Sequence, residues 1–197
     1  SLLLSAGEVA DSDLNLDLKQ LCGMVMRCNL GGLQRYLGSP ILALQWLRSQ
    51  DEAIFFETSA PVAKDLRRSI AHFADSNLKV NIVQENSYQH LLRGKHTLSQ
   101  LKKASILLDP PYDSGNSYFT WNLFMLRRLQ ETWPQASVAL WFPCYSHEQT
   151  QLFFRRVEEL QLEKVLVVQL MLTRRCANQL PGSGLLILRP PETLEAE

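Results

Sequence analysis

The tetrapeptide Asp109-Pro110-Pro111-Tyr112 follows directly on the apolar run Ile106-Leu107-Leu108, and its residue types suit one kind of chemistry. The exocyclic amine of a nucleobase is a poor nucleophile because its lone pair is delocalised into the ring. A carboxylate at Asp109 and the carbonyl of Pro110 can each accept one amine hydrogen. That draws the nitrogen toward a tetrahedral geometry with its lone pair aimed at a methyl donor. Proline stiffens the backbone, so the acceptors are preorganised rather than recruited. Tyr112 offers a ring on which an extruded base can stack, and most of the acceleration would come from alignment of amine and methyl group. In open α/β sheets ligands collect beyond the carboxyl ends of strands, which is where this tetrapeptide falls. The alternative is a turn that only terminates a strand.

Other residues bear on chemistry more weakly. Glu57 closes the run Ala53-Ile-Phe-Phe-Glu57, where an α/β fold can place a carboxylate on a ribose hydroxyl; a solvated strand-end glutamate reads equally well. Asn86 follows the next apolar run and can hydrogen-bond an adenine edge, although a turn is the more usual role of asparagine. Arginine pairs recur at Arg67-Arg68, Arg127-Arg128, Arg155-Arg156 and Arg174-Arg175. The first three fall in helical patterns, where solvated faces and salt bridges are the default. Arg174 and Arg175 lie in a loop and are the candidates for phosphate contact. Trp46, Trp121, Trp133 and Trp141 read as core residues. The four cysteines and four histidines are scattered, with no metal-ligand spacing.

The elements that must position these residues alternate. Strands are expected at Leu2–Leu4, Ala53–Glu57, Lys79–Val83, Ser105–Asp109, Ser137–Trp141, Lys164–Leu172 and Gly184–Leu188. Their continuous apolar cores suggest strands covered on both faces, as in parallel sheets. Helices are expected from Pro61 to Asp75, Phe119 to Glu131 and Glu148 to Gln161, the last opened by the capping pattern Ser146-x-x-Gln149. The last two strands are joined by a stretch with no room for a helix, so they should pair antiparallel. A mostly parallel Rossmann-like sheet with a C-terminal antiparallel pair results, with the Ser105 strand central and next to Leu2–Leu4.

With 197 residues, 46% hydrophobic and 20% charged, the chain can bury a sizeable core. It reads as a single domain over 1–191 followed by an acidic tail at 192–197. A net charge of zero argues against binding nucleic acid by bulk electrostatics. The longest apolar run, Val165 to Leu172, is interrupted by Gln169 and is too short to span a membrane. No secretory signal pattern is read at the N-terminus, and the few scattered cysteines read as reduced thiols of an intracellular protein.

Several separated stretches together resemble the bacterial 23S rRNA adenine-N6-methyltransferases, from about Gly31 to Pro191. They are Arg35-Tyr36-x-Gly38-Ser39-Pro40, the Asp109 tetrapeptide, Ala139-Leu140-Trp141-Phe142-Pro143, and Ser183-Gly184 leading to Pro190-Pro191. The resemblance implies S-adenosylmethionine as donor and an RNA adenine as acceptor. It implies Asp109 and Pro110 as amine acceptors and Tyr112 as the stacking ring. Glu57 falls where the family carries its ribose-binding glutamate, and Asn86 where it carries an aspartate near the cofactor adenine. The family's cofactor loop has its nearest match in Leu2-Leu3-Leu4-Ser5-Ala6-Gly7-Glu8, which keeps Gly7 but lacks the acid and the second glycine. Glycines serve there because the backbone approaches the cofactor closely.

That substitution and the neutral charge favour a structural or interaction subunit of a larger assembly, such as a mitochondrial or other organellar one. In that role the methyltransferase fold is a pseudo-enzyme without cofactor, and its partners are protein subunits. The alternative is an active S-adenosylmethionine-dependent adenine-N6-methyltransferase acting on large-subunit rRNA in a bacterial cytoplasm. Neither reading involves a metal or a membrane span.

Overall fold

A computed structural model of the chain describes residues 16–27, 29, 32, 37–73, 77–93, 103–112, 117–172 and 180–195. It divides into two compact units, Ser1–Arg93 and Gly94–Glu197, within the stretch expected as a single domain.

The first unit runs α1 (Leu16–Arg27), α2 (Ser39–Leu44), β1 (Glu52–Phe56), α3 (Ala60–Phe73), β2 (Lys79–Val83) and α4 (Ser87–Leu92). The two strands pair in parallel, from Glu52 opposite Lys79 to Phe56 opposite Val83. Parallel neighbours need a long crossover, which α3 supplies. The Ser59 carbonyl accepts the Ala63 N–H at 2.8 Å, and Pro61 sits in the first turn, where its missing N–H costs no helical bond. Buried Met24, Leu37, Ile41 and Leu44 pack with partly buried Ala53, Phe55, Ile70 and Val80, tying α1 and α2 to β1, α3 and β2. Just before β1, the Arg48 guanidinium donates to both carboxylate oxygens of Asp51 at 2.9 Å. Those hydrogen bonds hold the Asp51 carboxyl down at about 2.

The second unit runs β3 (Ser105–Leu108), α5 (Ser117–Thr132), β4 (Ser137–Cys144), α6 (His147–Glu159), β5 (Val165–Met171), β6 (Gly182–Leu188) and α7 (Glu192–Glu195). Its four strands lie in the order β3-β4-β6-β5. β3 is parallel to β4, and β6 is antiparallel to both β4 and β5, so the expected antiparallel C-terminal pair is present. The Ser146 hydroxyl caps α6 by accepting the Gln149 N–H at 3.2 Å, as the capping pattern requires. Val138, Leu140, Phe142, Leu186 and Leu188 from the middle strands are buried with Leu126 and Met125 of α5 and Phe153 of α6. Arg189, in the left-handed region at φ 52°, closes this unit by donating to the carbonyls of Ala136 and Trp133 at 2.7 and 3.1 Å.

The architecture is mixed α/β. Among the described residues β3 has one hydrogen-bonded neighbour, β4; its other expected partner, Leu2–Leu4, lies outside those residues. One expectation is corrected: not all strands are covered on both faces. β1 and β2 are half-buried, and β5, which has only β6 beside it, leaves Val168, Leu170 and Met171 half exposed.

Candidate active site

Leu108, the last residue of β3, is buried, and the chain beyond it alternates: Asp109 faces outward, Pro110 is buried and Pro111 is exposed. Burial of Pro110 anchors the turn, and the alternation then sends the Asp109 side chain toward solvent. Enough protein surrounds that carboxyl to desolvate it in part, which pushes its pKa above the ordinary aspartate value.

Tyr112 is fixed from three sides. Its hydroxyl donates to the Trp141 carbonyl of β4 at 2.6 Å and accepts from the Asn122 side-chain amide of α5 at 2.8 Å. The Tyr145 hydroxyl donates to its backbone carbonyl at 3.4 Å. The rings of Phe119 and Trp141 lie 5.5 Å from the tyrosine ring, both tilted, within the favoured range for aromatic pairs. Strand β3, strand β4 and helix α5 therefore converge on the tetrapeptide. Asn122 is fully buried, and sequence reasoning missed it because a single asparagine among the several polar residues of α5 carries no spacing signal. Tyr112→Phe keeps the ring but removes the hydroxyl that Asn122 and Trp141 engage. It is expected to cost about 1–3 kcal/mol, the range for disrupting a buried hydrogen-bond partnership. Urea denaturation measures this, and an unchanged midpoint would show that the hydroxyl network does not hold the turn.

Glu57 and Asn86 come together in the first unit. The parallel register pairs Phe56 with Val83, so both residues sit just past the carboxyl ends of adjacent strands. The Glu57 N–H donates to the Val83 carbonyl at 3.1 Å, and the Glu57 carboxylate accepts the Ser59 N–H at 2.7 Å. Asn86 is the N-cap of α4, its side-chain oxygen accepting the Gln89 N–H at 3.2 Å. Its turn role and its candidate binding role therefore fall on the same residue. Nearby, His90 Nδ1 lies 2.9 Å from the Glu85 carboxylate, and the His90 ring lies 4.7 Å from that of Phe56. Neither Glu85 nor His90 stood out in the sequence, since their meeting depends on the short helix α4. A ribose diol calls for a carboxylate acceptor and an adenine edge for an amide. The rim of the two-stranded sheet carries one of each, so the described residues fit an adenosine-containing cofactor.

Gly7, Arg174 and Arg175 lie outside the described residues. Arg127 and Arg128 meet Glu131 at 3.3 and 3.2 Å on an exposed helix face, as a solvated pattern predicts. Trp46 and Trp121 depart from expectation: both are half exposed rather than core. Among the described residues no group of three or more His, Cys, Asp or Glu side chains could hold a metal ion. No helix there is long and apolar enough to cross a membrane.

The mixed α/β chain thus ends a parallel strand in a partly desolvated aspartate, a buried proline and a tyrosine clamped from three sides. Residues 8–197 match the family described as "Ribosomal RNA large subunit methyltransferase D, RlmJ", and the chain belongs to this family of rRNA methyltransferases. Among its relatives is the Ribosomal RNA large subunit methyltransferase J of Haemophilus influenzae, 29% identical over 194 residues, covering 94% of this chain and 65% of the relative. Another is the protein of the same name from Escherichia coli strain K12, 26% identical over 190 residues, covering 94% of this chain and 64% of the relative. The chain thus spans just under two thirds of the length of the curated relatives it matches. A crystal structure of a Legionella pneumophila protein superposes with a TM-score of 0.76 at 22% identity, covering 94% of this chain and 67% of that one. That likeness concerns the fold.

Proposed function

We propose that the chain is the catalytic part of an S-adenosylmethionine-dependent methyltransferase that modifies the N6 amine of an adenine in large-subunit rRNA. The observation that carries the reading is the Asp109–Tyr112 turn, held by Tyr112 on Trp141 and Asn122. A plain strand-terminating turn has no need of a partly desolvated carboxylate. In an acceptor site that carboxylate takes an amine hydrogen where water competes less. Asp109 and the Pro110 carbonyl hold the two hydrogens, and the Tyr112 ring stacks on the base. Because the ring is already oriented by its hydroxyl, stacking there requires little further ordering. Glu57 and Asn86 are the residues that would hold the cofactor's ribose and adenine, with Gly7 in the expected loop. When bound, S-adenosylmethionine supplies an electrophilic methyl group.

The pseudo-enzyme reading rests on the altered sequence Ser5-Ala6-Gly7-Glu8. The family match begins at Glu8, so Ser5 to Gly7 lie outside it, and neither the argument from that altered sequence nor a loop role for Gly7 draws support from the match. Membership in an organellar assembly has no support in these comparisons, whose named methyltransferase relatives are bacterial.

Incubation of the chain with radiolabelled S-adenosylmethionine and unmodified large-subunit rRNA tests the proposal. Label is expected in N6-methyladenosine after digestion, with calorimetry giving a donor affinity in the micromolar range, about −8 kcal/mol. No transfer together with no donor binding would instead favour the structural-subunit reading.

A further inference from the structure

Among the described residues two polar side chains are buried, Asn122 and Thr150. The Thr150 hydroxyl turns back on its own helix and donates to the Ser146 carbonyl at 2.8 Å. Asn122 instead reaches out of α5. Its amide donates to the Tyr112 hydroxyl at 2.8 Å, and that hydroxyl donates to the Trp141 carbonyl at 2.6 Å. The direction of both bonds is forced. A carbonyl oxygen carries no proton, so the hydroxyl gives its single proton to Trp141, and Asn122 must present its amide N–H. Leu123, Met125, Leu126 and Leu129 of the same helix are buried and apolar. A leucine at 122 would suit a buried helix position better and would leave the hydroxyl its acceptor on Trp141. Packing and helix propensity thus favour leucine; what asparagine adds is a fixed direction for the Tyr112 hydroxyl.

We propose that Asn122 is a positioning residue for methyl transfer: with Trp141 it sets the tilt of the Tyr112 ring on which the target base stacks. The hydroxyl oxygen lies on the axis about which the ring turns, so its position alone leaves the tilt free. Partners of a phenol hydroxyl lie close to the plane of its ring, and two of them, Trp141 and Asn122, define that plane. Phe119, one turn before Asn122 on the same side of α5, adds its ring 5.5 Å from that of Tyr112. One helix thus engages both the end and the face of the tyrosine ring. Asp109 and Pro110 belong to the same turn, so a base stacked at another tilt presents its amine off the line to the methyl group. An error of about 1 Å in such an alignment can cost about a hundredfold in rate. Asn122 acts through Tyr112 and touches neither base nor cofactor. The inference rests on the methyltransferase reading and deepens it by naming what orients the stacking ring.

Single-turnover methylation of rRNA by the full chain tests this, with RNA affinity measured in parallel and the temperature held well below every variant's melting point. Asn122→Leu is expected to slow transfer by roughly ten- to a hundredfold and to leave RNA affinity nearly unchanged. Tyr112→Phe, which keeps the ring and lacks the hydroxyl, should lose a similar factor. The double variant should be no slower than the slower single one, because Asn122 then has no hydroxyl to act through. Ring-flip rates of Tyr112, read by nuclear magnetic resonance on a sample with labelled tyrosine rings, should rise in Asn122→Leu. If Asn122→Leu transfers methyl at the parent's rate, however far its melting temperature falls, the positioning role is overturned and the methyltransferase reading stands. Losses that multiply in the double variant also overturn it, since Asn122 would then act by another route. A parent that transfers no methyl group removes the methyltransferase reading. Faster flipping in Asn122→Leu would still uphold Asn122 as the residue that orients the ring, and unchanged flipping would overturn it.

Discussion

Asp109→Asn is expected to lower methyl transfer by roughly two to three orders of magnitude, the loss from removing one preorganised electrostatic partner, while leaving the fold at least as stable. The two outcomes have one physical source. Partial desolvation raises the Asp109 pKa in the folded chain above its unfolded value. The protonated form is therefore the better tolerated in the native state. Its favourable contribution is fully present below the unfolded pKa and is lost as pH rises through the folded one. Near neutral pH the native protein bears the cost of an ionised, incompletely hydrated carboxylate. Asparagine keeps the shape and removes the charge, so the variant escapes that loss. The difference in melting temperature, variant minus parent, should be small in acid and become more positive above the ordinary carboxylate range. The amide presents a donor in place of one acceptor oxygen, and an amine hydrogen then has no carboxylate to meet. Asp109→Ala should lose activity to a similar extent, with little change in RNA affinity. Single-turnover assays and thermal melts across pH measure the two effects. A variant with full activity would remove Asp109 from the reaction. One that is destabilised near neutral pH would show that the charge has a partner rather than a penalty.

The strands were legible where short apolar runs were bounded by turn residues: β2 runs from Lys79 to Val83 as expected, and β1, β3, β5 and β6 differ from expectation only at their ends. β4 extends to Cys144, past the expected Trp141, because Phe142 and Cys144 are buried and Pro143 lies opposite Ser183 in the ladder with β6. A proline within a run normally argues against a strand. Helix α1 escaped notice because Gly23 interrupts it, and α2 and α4 because six residues are too few to show a period. Of the candidate site, the chemistry-bearing side chains could be read directly: Asp109 from its place after an apolar run, and Glu57 and Asn86 from theirs. What holds them could not. Asn122 lies ten residues from Tyr112, and Trp141 acts in part through a backbone carbonyl that any residue would supply. Such contacts are set by the sheet and by helix packing, and no local pattern encodes them.

Two of the stretches that carried the family resemblance, Ala139 to Pro143 and Ser183-Gly184, prove to be one packing feature. Phe142 of β4 lies opposite Gly184 of β6 in the antiparallel ladder. A methyl group at Gly184 would collide with the Phe142 ring and approach the Val168 carbonyl oxygen to 2.8 Å. Phe142 in turn is 1% exposed, with the Phe153 ring 5.0 Å away. Glycine is required at 184 by close approach: the ring occupies the volume a side chain would need, and the backbone oxygen of β5 cannot swing aside as a flexible side chain can. Gly184→Ala is therefore expected to destabilise the chain by about 2–3 kcal/mol, toward the upper end of the usual overpacking cost. Phe142→Leu alone should cost about 1–3 kcal/mol through lost contact and an unfilled volume. Combined, they should cost at least about 1 kcal/mol less than their sum, because the shorter side chain gives up space that the new methyl group takes. The recovery stays partial, since the Val168 oxygen remains in place. Urea denaturation of the parent, the two single variants and the double variant measures the coupling. Strict additivity would mean that β4 and β6 adjust independently, and that the joint presence of the two stretches has another cause.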